Sequence, residues 1–203
     1  MHLFVLAAYL SYVLVAAGWR MWLQYRRTGD MGLRAFRGGS VAAVASALLI
    51  GALVVATAGL VSALLGWTPS IEKLDGSILR VSGAALFASG FLLTLIAQLQ
   101  IGDSWRIGLD PRERTALVTH GVFGYVRNPI FTGMLLTLGG LVLLVPNGWT
   151  LASLILALAG LELQVRGIEE PFLLRTHGDH YRAYTRRTGR FVPRVGFSGS
   201  ARQ

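Results

Sequence analysis

Three short runs in the second half of the chain hold residue types that could do chemistry together. The first is Leu117-Val-Thr-His-Gly-Val-Phe-Gly-Tyr-Val-Arg-Asn-Pro-Ile-Phe-Thr-Gly133. Its glycines, Gly121, Gly124 and Gly133, let backbone come close to a bound molecule. Pro129 suits a first helical turn, and Asn128 before it suits an N-cap. The run therefore leads into a helix N-terminus, whose free N–H groups can hold a carboxylate. The same residues would equally serve a membrane helix that is merely capped.

The second run is Arg166-Gly-Ile-Glu169-Glu170. With Glu162 it offers two i,i+4 pairs, Glu162–Arg166 and Arg166–Glu170. Glu162 sits inside an apolar stretch, where an ionisable group is expensive and faces a cavity or a partner. Two readings stand: a structural ion pair, or a polar pocket. In the pocket, Arg166 would fork a substrate anion and Glu170 would accept a ligand ammonium. The third run is Leu173-Leu-Arg-Thr-His-Gly-Asp-His-Tyr181, then Tyr184, then Arg190-Phe-Val-Pro193. Tyr181 and Tyr184 share a helix face and suit an aromatic belt at a membrane interface. His177 and His180 lack a third ligand at motif spacing, so no metal site is expected. There is no cysteine, which excludes thiolate metal sites, disulfides and cysteine nucleophiles. Walker, Rossmann, HExxH and GxSxG signatures do not occur.

The elements that must position these runs are membrane helices. Of 203 residues, 53% are hydrophobic and only 14% charged, against about 25% charged in a soluble domain. A bilayer core of roughly 30 Å needs about 20 apolar residues in a helix. Residues 3–18 (the pattern running on to Leu23), 38–71 and 81–102 meet that need. Residues 129–161 are also uncharged, but Pro146-Asn147-Gly148 is turn chemistry and splits them. That gives short helices at about 129–145 and 149–165. The expected fold is all-α and polytopic: five transmembrane helices, the last two a C-terminal hairpin. The first segment reads as a spanning helix and not as a signal peptide, because its arginines follow the apolar run. Ala43, Ala47 and Gly51 lie at helical spacing and suit close packing within the chain, with a dimer face as the alternative.

The formal net charge is +9, and Lys73 is the sole lysine among 19 basic residues. Arginines cluster at 26–37, at 106–127 and after 165, and five crossings put all three clusters on one side. By the positive-inside rule the N-terminus lies outside and the C-terminus in the cytoplasm. Topology thus accounts for the charge, and no nucleic-acid partner is expected. Abundant Ala, Leu and Arg suggest a GC-rich bacterial genome and a plasma-membrane location. The chain reads as one membrane domain: three helices in 1–100, a core in 101–195 and a disordered tail in 196–203.

The three runs, in this order, resemble the isoprenylcysteine carboxyl methyltransferase family of membrane methyltransferases, itself related more distantly to phospholipid N-methyltransferases. The matching motifs are Leu117–Gly133, a helical hairpin, R-x-x-E-E-x-x-L at 166–173, G-x-x-Y-x-x-Y at 178–184 and R-x-x-P at 190–193. The resemblance implies S-adenosylmethionine as cofactor in a cytoplasmic pocket, and a lipophilic or lipid-modified substrate. It implies that Thr115, Ala116, Leu117, Val118, Phe123, Asn128, Pro129, Ile130 and Phe131 line the cofactor site. Glu170 would hold the methionyl ammonium, and Arg166 would orient the substrate. Asn128 stands where better-known members have histidine, and Phe123 and Phe131 where they have tyrosine. Asn128 can hydrogen-bond but has no usable pKa, so it is no general base.

Methyl transfer to a carboxylate needs positioning but no base, since a carboxylate is ionised at neutral pH. An amine would need a base, and Glu169 and Glu162 are the nearby carboxylates. Carboxyl methylation is the favoured expectation, with lipid N-methylation or an NADPH-dependent membrane reductase as alternatives. A transporter is disfavoured because the charges sit at one edge and no repeat is visible. Monomer and homodimer both fit.

Overall fold

The computed structural model describes residues 1–34, 39–105, 107–108 and 116–196. The expectation for Thr115 lies outside the described residues, as does the expected tail beyond Gly196. The chain forms α1 (His2–Thr28), α2 (Ser40–Leu64), α3 (Ser77–Ile101), α4 (Pro129–Leu144), α5 (Gly148–Gln164) and α6 (Glu170–Arg187). Four stretches are long and apolar enough to cross a membrane: α1, α2, α3, and α5 with its continuation through α6. The shorter apolar helix α4 completes an all-α, polytopic membrane architecture. Its 16 residues span about 24 Å at 1.5 Å per residue. Leu33–Arg34 and Ile107–Gly108 pair as a two-residue parallel ladder.

Prolines punctuate the chain where helices start or stop. Pro129 and Pro171 sit in first turns, and Pro146 lies between α4 and α5. Pro171 has no N–H to give Gly167, and the helix relaxes there into a π turn, Val165–Glu169. A second π turn, Leu14–Trp19, interrupts α1 without any proline. There the carbonyl of Ala16 accepts a 2.8 Å hydrogen bond from the side chain of Gln98 on α3.

The tightest seam joins α3 and α4. Gly83 and Gly90 on one helix face Gly140 and Gly133 on the other. A Cβ on Gly90 would lie 2.5 Å from the Gly133 carbonyl, and one on Gly140 would lie 2.5 Å from the Gly83 carbonyl. Only glycine lets the two backbones touch. Ala43, Ala47 and Gly51 are not such a seam: Ala47 is exposed and the space around Gly51 is open. The small residues that α2 buries are Ala42, Ala45, Ser46, Ala52, Ala56 and Gly59.

The core lies between the helices, with Tyr9, Tyr12, Ala56, Leu60, Phe87 and Leu141 at its centre. Tyr12 meets Phe87 and Phe91 edge-on. Val54, Ile78, Val81 and Ile155 point outward, as a lipid-facing surface requires. At one end of the bundle Asn147 caps α5 by accepting from the Thr150 amide at 2.9 Å and donates to the Gly59 carbonyl at 3.0 Å. The other end carries Arg26, Arg27, Arg127 and the arginines from Arg182 to Arg194, with the first turns of α2, α4 and α6.

Candidate functional site

The site is built at the arginine-rich end, where the chain enters α4 and where it leaves α6. Before α4 the chain turns through Gly121–Gly124. Gly121 has a left-handed φ of 59°, and a Cβ there would lie 2.2 Å from the Gln100 amide oxygen. Glycine thus lets Gln100 reach past it and accept from the Val122 amide at 2.9 Å. The following residues pair with the segment after α6. The Arg127 amide donates to Gly189 at 2.7 Å, and the Asn128 amide donates to Arg190 at 3.2 Å. The Thr132 hydroxyl donates to the Phe191 carbonyl at 2.8 Å.

Asn128 occupies the N-cap position of α4, but its side chain does not cap the helix. Its amide group donates to the Arg190 carbonyl at 3.1 Å, so it holds the C-terminal segment in place of the helix terminus.

A buried ionic cluster locks the same junction. Glu170 Oε1 accepts from Arg127 Nη2 at 2.8 Å and from Arg190 Nε at 2.7 Å. Glu170 Oε2 accepts from Arg190 Nη2 at 2.9 Å, so Arg190 grips the carboxylate with both prongs. The hydrogen bond to Glu170 pushes the Arg190 guanidinium further up from its already high value. Arg127 is almost fully buried and also donates from Nη1 to the Thr188 carbonyl at 2.6 Å. The Tyr184 hydroxyl donates to the Phe123 carbonyl at 2.5 Å. Tyr181 and Tyr184 are therefore buried beneath this junction and do not form the expected interfacial belt.

Beneath the junction lies a cavity of about 650 Å³, within the roughly 300–1,000 Å³ range of small-molecule sites. Its polar end is lined by Arg127, Asn128, Gln164, Glu169 and Glu170. Aromatic walls come from Trp105, Phe123, Phe131, Tyr181 and Tyr184. It continues between the helices past Tyr9 and Tyr12 of α1, Ile50 and Leu53 of α2, Thr94 and Gln98 of α3, and Met134 and Leu138 of α4. Ile50 and Leu53 in that lining are exposed. The lining therefore extends from charged groups at one end to exposed apolar residues of the membrane helix α2.

Ala116, Leu117, Val118, Phe123, Asn128, Pro129, Ile130, Phe131 and Glu170 all line this one cavity. Arg166 does not. It pairs with Glu162, and its side chain is 61% exposed. The expected Arg166–Glu170 pair is absent, and Glu170 pairs instead with Arg127 and Arg190. Arg127 and Arg190 take both carboxylate oxygens of Glu170, and Glu162, one turn before Arg166, takes its guanidinium. Glu169 lines the cavity and accepts from Gln164 Nε2 at 3.2 Å. Arg127 and Gln98 were not singled out by sequence reasoning. Arg127 lay inside the first run, and Gln98 is one of the few polar residues in an apolar one.

Residues 78–180 match the phospholipid methyltransferase family. The chain belongs to that family. The matched stretch runs from the start of α3 into α6 and covers the cavity's polar end. Membership makes the chain a membrane methyltransferase by family, in line with its relation to the isoprenylcysteine carboxyl methyltransferases. Comparison with curated proteins finds no match.

Proposed function

We propose that this chain moves the methyl group of S-adenosylmethionine onto the polar head of a lipid that enters from the membrane. The observation that carries the reading is one continuous cavity with charged groups at one end and exposed apolar residues of the membrane helix α2, Ile50 and Leu53, in its wall. When bound, S-adenosylmethionine supplies an electrophilic methyl on a sulfonium. The residues present fit it. Glu170 would hold the methionyl ammonium, and Glu169, whose one partner among the described residues is the neutral Gln164 amide, stays open to the acceptor. Glu170 Oε2 accepts one bond and keeps a second lone pair. Ala116, Leu117, Val118, Phe123, Pro129, Ile130 and Phe131 give apolar and aromatic surface for a nucleoside, while Asn128 fixes the wall. The basic end faces the cytoplasm by the positive-inside rule.

The chain's own residues mostly position the partners. Close, aligned reactants can account for about 7–11 kcal/mol of a barrier. The acceptor class that Glu169 favours is an amine: an ammonium reaching the cavity must lose a proton before its nitrogen can attack, and the Glu169 carboxylate can receive it. Glu162, the other carboxylate considered, lies off the cavity in its pair with Arg166. The second reading is carboxyl methylation, favoured by Arg127 in the same wall, whose Nε has no partner among the described residues. Purified protein in bilayer discs, given labelled S-adenosylmethionine, separates the readings. Label on dioleoyl phosphatidylethanolamine supports the amine, and label on a prenylated cysteine acid supports the carboxyl. Label on neither lipid, with binding of NADPH, would refute both.

A further inference from the structure

The α3 wall of the cavity holds a polar group that the proposed chemistry does not use. Gln98 is 3% exposed and lines the cavity one turn before α3 ends at Ile101. Its Nε2 donates to the Ala16 carbonyl in the π turn of α1 at 2.8 Å. That bond fixes the amide, because a flip would set oxygen against oxygen. The Oε1 acceptor is buried and has no partner among the described residues. A buried acceptor left unmet is destabilising until something donates to it.

The neighbouring polar side chains are hydroxyls. Thr94, one turn earlier on α3, donates its hydroxyl to the Gly90 carbonyl at 2.9 Å. The Tyr12 hydroxyl lies 3.5 Å from Thr94 Oγ1, where either oxygen can donate. Thr94 and Tyr12 line the cavity beside Gln98. This stretch of wall offers the unmet lone pairs of Gln98 Oε1 beside a second Gln98 Nε2 hydrogen. The unmet acceptor suits a ligand bearing an N–H or O–H group.

We propose that Gln98 is a specificity-determining residue, whose Oε1 takes a hydrogen bond from an N–H or O–H of the lipid head, with the π turn of α1 holding the amide in register. The proposal rests on the lipid-head reading of the cavity but not on the identity of the cofactor.

The test is binding without cofactor. Dihexanoyl phosphatidylethanolamine and dihexanoyl phosphatidylcholine carry the same formal charges and differ in headgroup N–H donors. Calorimetric titration of the detergent-solubilised full chain should show the ethanolamine lipid preferred by about tenfold. Gln98→Met should erase that preference, mainly by weakening the ethanolamine lipid, and leave S-adenosylhomocysteine affinity unchanged. Gln98→Glu, which keeps an acceptor and loses the bond to Ala16, should retain or raise the preference, and it serves as the deciding variant if Gln98→Met fails to fold. The proposal is overturned if the wild type shows no preference, if Gln98→Met keeps it or weakens both lipids equally, or if Gln98→Glu loses it. Absence of S-adenosylhomocysteine binding to the wild type would instead refute the methyltransferase reading and leave the lipid preference standing.

Discussion

The two walls of the cavity are built on opposite terms. On the wall made by the start of α4 and the segment after α6, most polar groups have partners within the protein. Glu170 takes three donors from two arginines, Arg127 spends Nη1 and Nη2 on Glu170 and backbone carbonyls, and Asn128 holds Arg190. On the wall made by α1 and α3, and at Glu169, acceptors stand with one partner or none. A group whose bonds are satisfied within the protein fixes shape, whereas one left open inside a low-dielectric cavity is available to a ligand. Two adjacent carboxylates in one motif therefore do different work: Glu170 holds the wall and Glu169 faces what enters.

The contrast breaks most visibly at Glu170. Glu170→Ala leaves Arg127 buried without its carboxylate and should destabilise the protein by at least about 3 kcal/mol. A thermal unfolding scan in detergent checks it, and cofactor affinity should fall with it because the wall moves. Glu169→Gln should instead leave the unfolding temperature within a degree or two while lowering methyl transfer to an amine by about 100-fold. Single-turnover assays read that loss, and an equal loss of stability would make the two carboxylates alike. Asn128→Ala removes one side-chain bond to the Arg190 carbonyl. Its expected cost is about 1 kcal/mol, and limited proteolysis should cut the segment after Arg187 sooner. Arg166→Ala sharpens the contrast by doing little. An exposed pair contributes at most about 1 kcal/mol, and neither the lipid KM nor cofactor affinity should change.

The helices were legible in the sequence because apolar length, prolines and Pro146-Asn147-Gly148 act locally. Nine of the cofactor-site residues expected from the resemblance line the cavity, since eight of them fall within residues 116–131 at the entry to α4, with Glu170 the ninth. What the sequence hid depends on contacts between distant residues. Arg166 and Glu170 look paired at i,i+4 until Arg127 and Arg190, distant in sequence, take the carboxylate. Asn128 looks like a cap until the Arg190 carbonyl, distant in sequence, takes its amide. The Gly83–Gly140 and Gly90–Gly133 contacts need two helices in register, which neither glycine spacing announces alone.

The central claim is that the sulfonium donor sits in this cavity. Photolabelling with S-adenosylmethionine carrying a tritiated methyl, followed by peptide mapping, addresses it directly. Saturable label on peptides containing residues 116–131 or 169–184, displaced by S-adenosylhomocysteine, is the predicted result. No saturable label, or label confined to the opposite end of the bundle around 58–68, would contradict it.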